Sequence, residues 1–493
     1  MRLFSTKQNQ YKPSILGANF FLLMVVIGFV LAGCTPVGPN YNMVEPNAPQ
    51  QWHTKLQDGL STGPFEPETL ARWWTTLNDT ELESLVERAV KGNLDIKDAI
   101  ARIREARAQR GISLANLFPT MDITGTATKN RSSENSGTGK ISKLYKTGFD
   151  AGWELDIFGG TRRAIEAAQA DLEATQENLR DVQVSLLAEV ALNYVEARTY
   201  QSRLAVTEAN IKAQEQTYQL NLSRNKAGII DELAVQQSLY NLEYTRSQIP
   251  TLQTWLEAAE NRLAVLLGEK PGAVHDELAE RTMIPVPPAN VAVGIPADTL
   301  RHRPDVRRAE RNLAAATARI GVATADLYPK FQLSGTIGLE SLTSENLFER
   351  TSRTWSTGQS VSWNIFDAGA IRQNIKVQTA RQEQALIQYQ SVVLNAQEEV
   401  ENALVAYAKE QRRRDSLRAA VAAAQQAYDL AMDQYQVGLV DFSNVLDAQR
   451  SLQSFQDELA ASDGTVSSNL VRIYKALGGG WKYLEASEIS VKK

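Results

Sequence analysis

Side chains that could attack, ligate or pass a proton are few in this chain of 493 residues. Its three histidines, His53, His275 and His302, are scattered, with no HExxH pair to hold a catalytic zinc. No GxSxG turn presents a nucleophilic serine. The stretch GTGK at 137–140 lacks the makings of a phosphate loop: Glu134 stands where its first glycine belongs and Ile141 where its Ser or Thr belongs. The many carboxylates fall at helix-surface spacings among basic residues, as salt-laced faces do. One cysteine, Cys34, can form neither an intrachain disulfide nor a CxxC site. These counts argue against an enzyme and imply no catalytic residue, resident metal or cofactor.

The thiol is explained by its neighbours. Arg2, Lys7 and Lys12 precede a mostly apolar run from Phe20 to Ala32, about 13 residues long. That suits the core of an export signal and falls short of the roughly 20 residues a spanning helix needs. Leu31-Ala32-Gly33-Cys34 resembles the bacterial lipobox, in which the cysteine sulfur takes a diacylglycerol and becomes the first mature residue. Thr35, rather than Asp, follows the cysteine, which favours the outer membrane. Acyl chains alone anchor and do not span.

A formal charge of −5 offers no basic field for nucleic acid. The informative feature is a repeat. ANLFPTMDITGT at 115–126 recurs as ADLYPKFQLSGT at 325–336, an offset of 210 residues. The same offset relates Gly111 to Gly321, NLDI at 93–96 to RPDV at 303–306, Gly228 to Gly438, and LLGEKPG at 266–272 to ALGGGWK at 476–482. One supersecondary plan is written twice.

Each half predicts a helix of roughly 35 residues, capped near Asp79 or Pro296–Thr299, then two strands, a very long helix, a glycine break and a shorter helix. No Gly or Pro occurs from Thr161 to Ala227 or from Ala370 to Val437. Helices of that length reach roughly 100 Å and must pack side by side as coiled-coil staves. Leu179, Val182, Leu186 and Val190 read as one seam; Leu394, Val400, Leu404 and Tyr407 read as a looser one. The strands follow period two. Phe149, Ala151, Trp153, Leu155 and Ile157 alternate with Asp150, Gly152, Glu154 and Asp156, and Val361, Trp363 and Ile365 alternate with Ser360, Ser362 and Asn364. Apolar-out and polar-in suits a water-filled membrane barrel, with 129–146 and 341–356 as outer loops. Four strands cannot close a barrel, and an open edge is not tolerated in lipid, so membrane strands here require several chains.

The duplicated plan, the strand exits DIFGG at 156–160 and NIFDAG at 364–369, the turn YQVG at 435–438, VLDAQR at 445–450 and YKALGGGW at 474–481 resemble TolC-type outer membrane efflux channels. The lipobox is similar to that of the OprM and NodT-like lipoprotein branch. The resemblance implies an α+β membrane protein. Three copies would make a twelve-stranded β-barrel, four strands per chain, continuous with a periplasmic α-helical coiled-coil barrel. It implies a homotrimer in outer membrane lipid, meeting a periplasmic membrane-fusion adaptor protein and, through it, an inner-membrane RND transporter. No energy is drawn by the duct itself, which would pass drugs or other small toxic compounds.

The resemblance also assigns residues. Gly228, Asp231, Val437, Gly438, Leu439 and Asp441 would lie at the helix tips that meet the adaptor, where Asp231 and Asp441 are also placed to cap the returning helices. Asp447, whose first-half counterpart is Gln237, matches the aspartate of the periplasmic aperture gate, and Tyr435 the tyrosine that ties neighbouring helices closed. Val440 and Asn444 stand where TolC carries an arginine and a second aspartate, which implies a lock with fewer charged ties.

The organisation expected is a lipoprotein signal peptide over 1–33 and a lipidated tether and equatorial segment over 34–78. Repeat 1 spans 79–290, with a hairpin at 121–158 and helices at 161–227 and 231–267. Repeat 2 spans 291–480, with a hairpin at 331–366 and helices at 370–437 and 442–477. An equatorial tail covers 481–493. Two other readings remain open at this point: an exit channel for type I, ABC-driven protein secretion, and a structural coiled-coil envelope lipoprotein.

Overall fold

The computed structural model describes residues 35–46, 48–57, 59–61, 63, 67–288 and 290–482. The expected signal peptide, the expected lipidation site Cys34 and most of the expected C-terminal tail lie outside these residues. The chain divides into two compact units. One comprises residues up to Met43 with Glu105–Leu172 and Arg311–Leu386; the other comprises Val44–Arg104, Glu173–Glu310 and Ile387 onward. Each unit thus draws on both repeats.

The element order is β1 (Leu60–Ser61), α1 (Pro67–Ala71), a 3-10 turn (Trp73–Leu77), α2 (Thr80–Gly92), α3 (Leu94–Ala115), β2 (Thr120–Arg131) and β3 (Ile141–Leu155). It continues through α4 (Gly160–Lys226), α5 (Glu232–Leu266), α6 (His275–Leu278), β4 (Val291–Ala292), α7 (Pro296–His302) and α8 (Pro304–Ala325). The last elements are β5 (Lys330–Ser341), a 3-10 turn (Arg350–Ser352), β6 (Arg353–Ser362), α9 (Ala370–Gln436) and α10 (Phe442–Ala476).

In the first unit, four antiparallel strands lie in the order β2-β3-β5-β6. Their register lines up Ile123, Phe149, Ile337 and Trp355 as one exposed apolar row across the sheet. The next row, Asp122, Asp150, Thr336 and Ser356, is polar and faces the other way because side chains alternate along a strand. Within it the Thr336 and Ser356 hydroxyls bond at 2.8 Å, and Thr124 Oγ1, two residues along from Asp122 on the same face, donates to Asp150 at 2.7 Å. Gly148 and Gly338 oppose each other in the central pair, where a Cβ on either would meet the partner's backbone within 2.6 Å. Only glycine allows that approach.

Three expectations need correction here. Residues 129–131 and 141–146 are strand, not loop, as are 353–356. Lys129 pairs with Lys143 and Asn130 with Ser142, because a ladder can run on into polar sequence while its backbone groups still find partners. Trp363 and Ile365 lie beyond the end of β6. Trp363 instead donates its indole N–H to the Leu327 carbonyl at 3.0 Å, as Trp153 does to Leu117 at 2.9 Å, the same contact made once per repeat.

The segment after Cys34 is not a free tether. Val37 N donates to the Phe158 carbonyl, and the buried Arg163 guanidinium reaches the Val37 carbonyl at 3.0 Å and Asn40 Oδ1 at 2.7 Å. Further along, in the second unit, Glu401 accepts the N–H groups of His53 and Thr54, and Trp52 donates to the Gly294 carbonyl. An extended segment has no internal partners for its backbone, so side chains and carbonyls of the folded body supply them.

The second unit is helical apart from the parallel pair β1 and β4. The predicted 35-residue helix is broken in each half. Asn93 leaves the helical conformation and its side chain accepts from the N–H groups of Asp95 and Ile96, starting α3 afresh. In the second half Pro304 holds Arg303 in extended backbone, as the residue before proline prefers. Asp79 caps α2 by accepting from Leu82 N, whereas α7 opens on Ile295 with no side-chain cap and Pro296 at its first position. Of the seam residues, Leu179, Leu186, Val190, Val400, Leu404 and Tyr407 are buried, and Leu394 is exposed.

Both 67-residue helices start on a carboxylate. Asp156 accepts from Thr161 N and Arg162 N; Asp367 accepts from Gly369 N at 2.8 Å and Ile371 N at 2.7 Å. Backbone donors at the helix start, Ile371 N foremost, hold the Asp367 carboxyl below its usual range. No helix among the described residues is long and apolar enough to cross a membrane.

Candidate functional site: the hairpin tips and the helix seam beside them

Two helical hairpins, α4–α5 and α9–α10, reverse at matched turns. Gly228 and Gly438 adopt φ of +72° and +80°. Around each, the residue after the glycine bonds back five residues, Ile229 N to the Arg224 carbonyl and Leu439 N to the Gln434 carbonyl, each at 2.9 Å. Gly228 N and Gly438 N complete the motif to Asn225 and Tyr435. This Schellman arrangement needs a left-handed residue, which explains glycine at both places. Ile229, Leu233, Val437 and Leu439 are exposed around the two turns.

Asp231 caps α5, its Oδ1 accepting from Ala234 N at 3.2 Å. Asp441 occupies the equivalent position before α10 and does not cap it through its side chain. The Asn444 N–H that a cap would satisfy is taken by the Asp441 backbone carbonyl at 3.1 Å, so this carboxylate stays exposed.

Tyr435 is buried among Ala234, Phe442, Val445 and Leu446. Its hydroxyl donates to Asn221 Oδ1 at 2.8 Å, and the Arg224 guanidinium lies 4.8 Å from its ring centre while donating to the Tyr435 carbonyl at 3.1 Å. Burial pushes its phenol pKa up, partly offset by Arg224. The tyrosine therefore binds the end of α9 to the end of α4 within one chain. Asn221 and Arg224 escaped the sequence reading. Their signal lay in the repeat itself: at the 210-residue offset the second half carries Ala431 and Gln434, so the two halves differ where they grip each other.

Asp447 stands on the second turn of α10 with its side chain exposed and no ion pair or side-chain hydrogen bond among the described residues. Above it, polar side chains link the helices. Arg450 Nε donates to Asn241 Oδ1 at 3.2 Å, Gln453 meets Gln214 and Thr245, Asn210 meets Gln456, and Arg203 pairs with Asp457 at 2.8 Å. An open groove of about 500 Å³ between α5 and α10 is lined by Tyr240, Tyr244, Arg450 and Asp457. Among the described residues the arrangement holds no nucleophile–base pair; it is a hydrogen-bonded helical wall ending in two exposed tips.

The profile of the family described as "Outer membrane efflux protein" matches residues 85–269 and again 295–479. Nodulation protein T of Rhizobium leguminosarum bv. trifolii is 34% identical over 461 residues, 92% of this chain and 96% of its own length. The antibiotic efflux pump outer membrane protein ArpC of Pseudomonas putida is 29% identical over 469 residues, 93% of this chain and 95% of its own. Among solved structures, the outer-membrane channel OprN superposes with a TM-score of 0.85 at 35% identity, covering 90% of this chain and 99% of that one. With each repeat matched separately, and a solved channel superposing on nine-tenths of its length, the chain belongs to the outer membrane efflux protein family.

Proposed function

We propose that three copies of this outer membrane efflux channel close one twelve-stranded barrel and that the channel serves as the passive exit duct of a tripartite pump. The observation that carries the trimer is the sheet: β2 and β6 are free edges, and the sheet bears a continuous row of exposed apolar side chains on one face. Such a face belongs in lipid, where unpaired edge groups cost several kcal/mol each, so β2 of one copy pairs with β6 of the next. The polar face of the sheet then lines water. Lipidation at Cys34 anchors the chain beside its own barrel.

At the periplasmic end, threefold symmetry gathers three Asp447 carboxylates into a ring that favours cations and narrows the duct. Tyr435 stiffens the hairpins behind it. The tips around Gly228, Asp231, Val437, Gly438, Leu439 and Asp441 meet the periplasmic adaptor, which links the duct to an inner-membrane RND transporter. The uncapped, exposed Asp441 and the four exposed aliphatic residues suit such contact better than Asp231, which serves its own helix. Drugs and other small toxic compounds are the cargo this reading favours, in keeping with the antibiotic efflux relative.

The test is planar-bilayer conductance of the purified trimer, wild type beside Asp447→Ala. A small cation-preferring current that rises in the variant supports the carboxylate ring as the closed gate. Equal currents would move the gate elsewhere, and a folded trimer that conducts in neither form would overturn the duct.

A further inference from the structure

Three donors from two elements meet on one side of α5. Glu257 and Glu260 lie three residues apart on that helix and share a face. The chain turns at Gly268 and returns through α6, whose first residue is His275. Val274 and Leu278, both fully buried, seat this short segment, and Arg198 and Gln201 hold the Leu278 carbonyl. His275 is thereby aimed back at α5. Its Nδ1 lies 2.9 Å from Glu260 Oε2 and 3.4 Å from Glu257 Oε1, and one donor atom from each of the three residues lies within 4.8 Å of the other two.

A hydrogen bond accounts for the shorter contact but not for the second carboxylate, because Nδ1 has one proton at most to give. Donor atoms around a tetrahedral ion with bonds of about 2.0–2.1 Å are spaced about 3.3 Å apart, and the two separations bracket that value. Charge points the same way. The Glu260 side chain is only 4% exposed, and among the described residues its one hydrogen-bonding partner is the His275 imidazole. Burial of this carboxylate outweighs the relief that His275 and the Arg198 charge give it, and a divalent ion supplies the further positive charge. His275 and Glu257 are half exposed, so the open side of the cluster faces water. One imidazole nitrogen and two carboxylate oxygens suit zinc-like ions, whereas magnesium and calcium prefer oxygen alone.

We propose that Glu257, Glu260 and His275 form a binding site for a divalent transition-metal ion of the zinc class, completed by water. The ion fastens the α6 segment onto α5, joining two parts of the chain that Arg88 already braces nearby through Glu269 and Glu277.

The full chain, purified in detergent and stripped with a chelator, is titrated with Zn²⁺ against a chromophoric competitor and with Co²⁺ followed by visible absorption. The site predicts uptake of one ion per chain in the micromolar range, with Co²⁺ bands of four-coordinate intensity. His275→Ala, a change at a half-exposed position that leaves the fold intact by circular dichroism, weakens Zn²⁺ by at least about tenfold and abolishes those bands. Glu257→Ala does likewise, and His302→Ala changes neither. No stoichiometric uptake by the wild type, or equal binding by wild type and His275→Ala, would overturn the proposal.

Discussion

Tyr435 shows how much one side chain can fasten. Its hydroxyl satisfies Asn221, a fully buried amide, while its ring packs against Phe442 and under Arg224. Tyr435→Phe keeps the packing and strands the Asn221 oxygen, a loss of about 1–3 kcal/mol. Faster amide hydrogen exchange across 221–230 and 434–442, with strands β2 to β6 unchanged, is the expected result. The pH sign follows from burial. A phenol whose folded pKa is raised above its ordinary value near 10 holds its proton longer in the native state, so its contribution is complete below that value and lost as pH rises through the raised one. Tip protection in the wild type therefore stays flat through neutral pH and falls only in strong alkali, while Tyr435→Phe shows no such alkaline step.

At the scale of elements, the two hairpin turns depend on one backbone conformation. Gly228 and Gly438 have open space where a Cβ would go, so substitution costs conformational strain alone. Ala at either position costs roughly 1–2 kcal/mol, and Asn, which tolerates the left-handed region, costs less. Limited proteolysis reads the difference: Gly438→Ala is nicked near 437–441 faster than wild type, and Gly438→Asn lies between them. Much of this level was legible beforehand. The glycine-free and proline-free windows gave both long helices, and the turns fell where the glycines did. The break at Asn93 was not legible, because Asn is only mildly disfavoured inside a helix and the bonds its side chain accepts from Asp95 and Ile96 show only in the fold.

At the scale of the whole molecule, the sheet assigns its two faces to different solvents. Ile337→Arg puts a charge in the apolar row and costs about 2–4 kcal/mol if it lies at bilayer mid-depth. Heat-modifiable trimers on a gel should be depleted or lost. Thr336→Arg, one residue away on the polar face, should leave trimers intact and shift bilayer ion preference towards anions. If both variants assembled alike, the two faces would have been exchanged or the sheet would not sit in lipid.

Periodicity and the two helix-breaker-free windows, each read twice at the 210-residue offset, determined the class of every long element from sequence alone, because local patterns survive in any packing. The three-dimensional arrangement decided what locality cannot carry. It closed Asn221 and Arg224 onto Tyr435 across more than 200 residues. It docked the chain after Thr35 onto Arg163, and it denied Asp441 the cap that its twin Asp231 makes. It also brought His275 to Glu260, a meeting of groups fifteen residues apart that no spacing motif describes. A side chain's type limits what it can bond, and only the packed chain chooses which partner stands within reach.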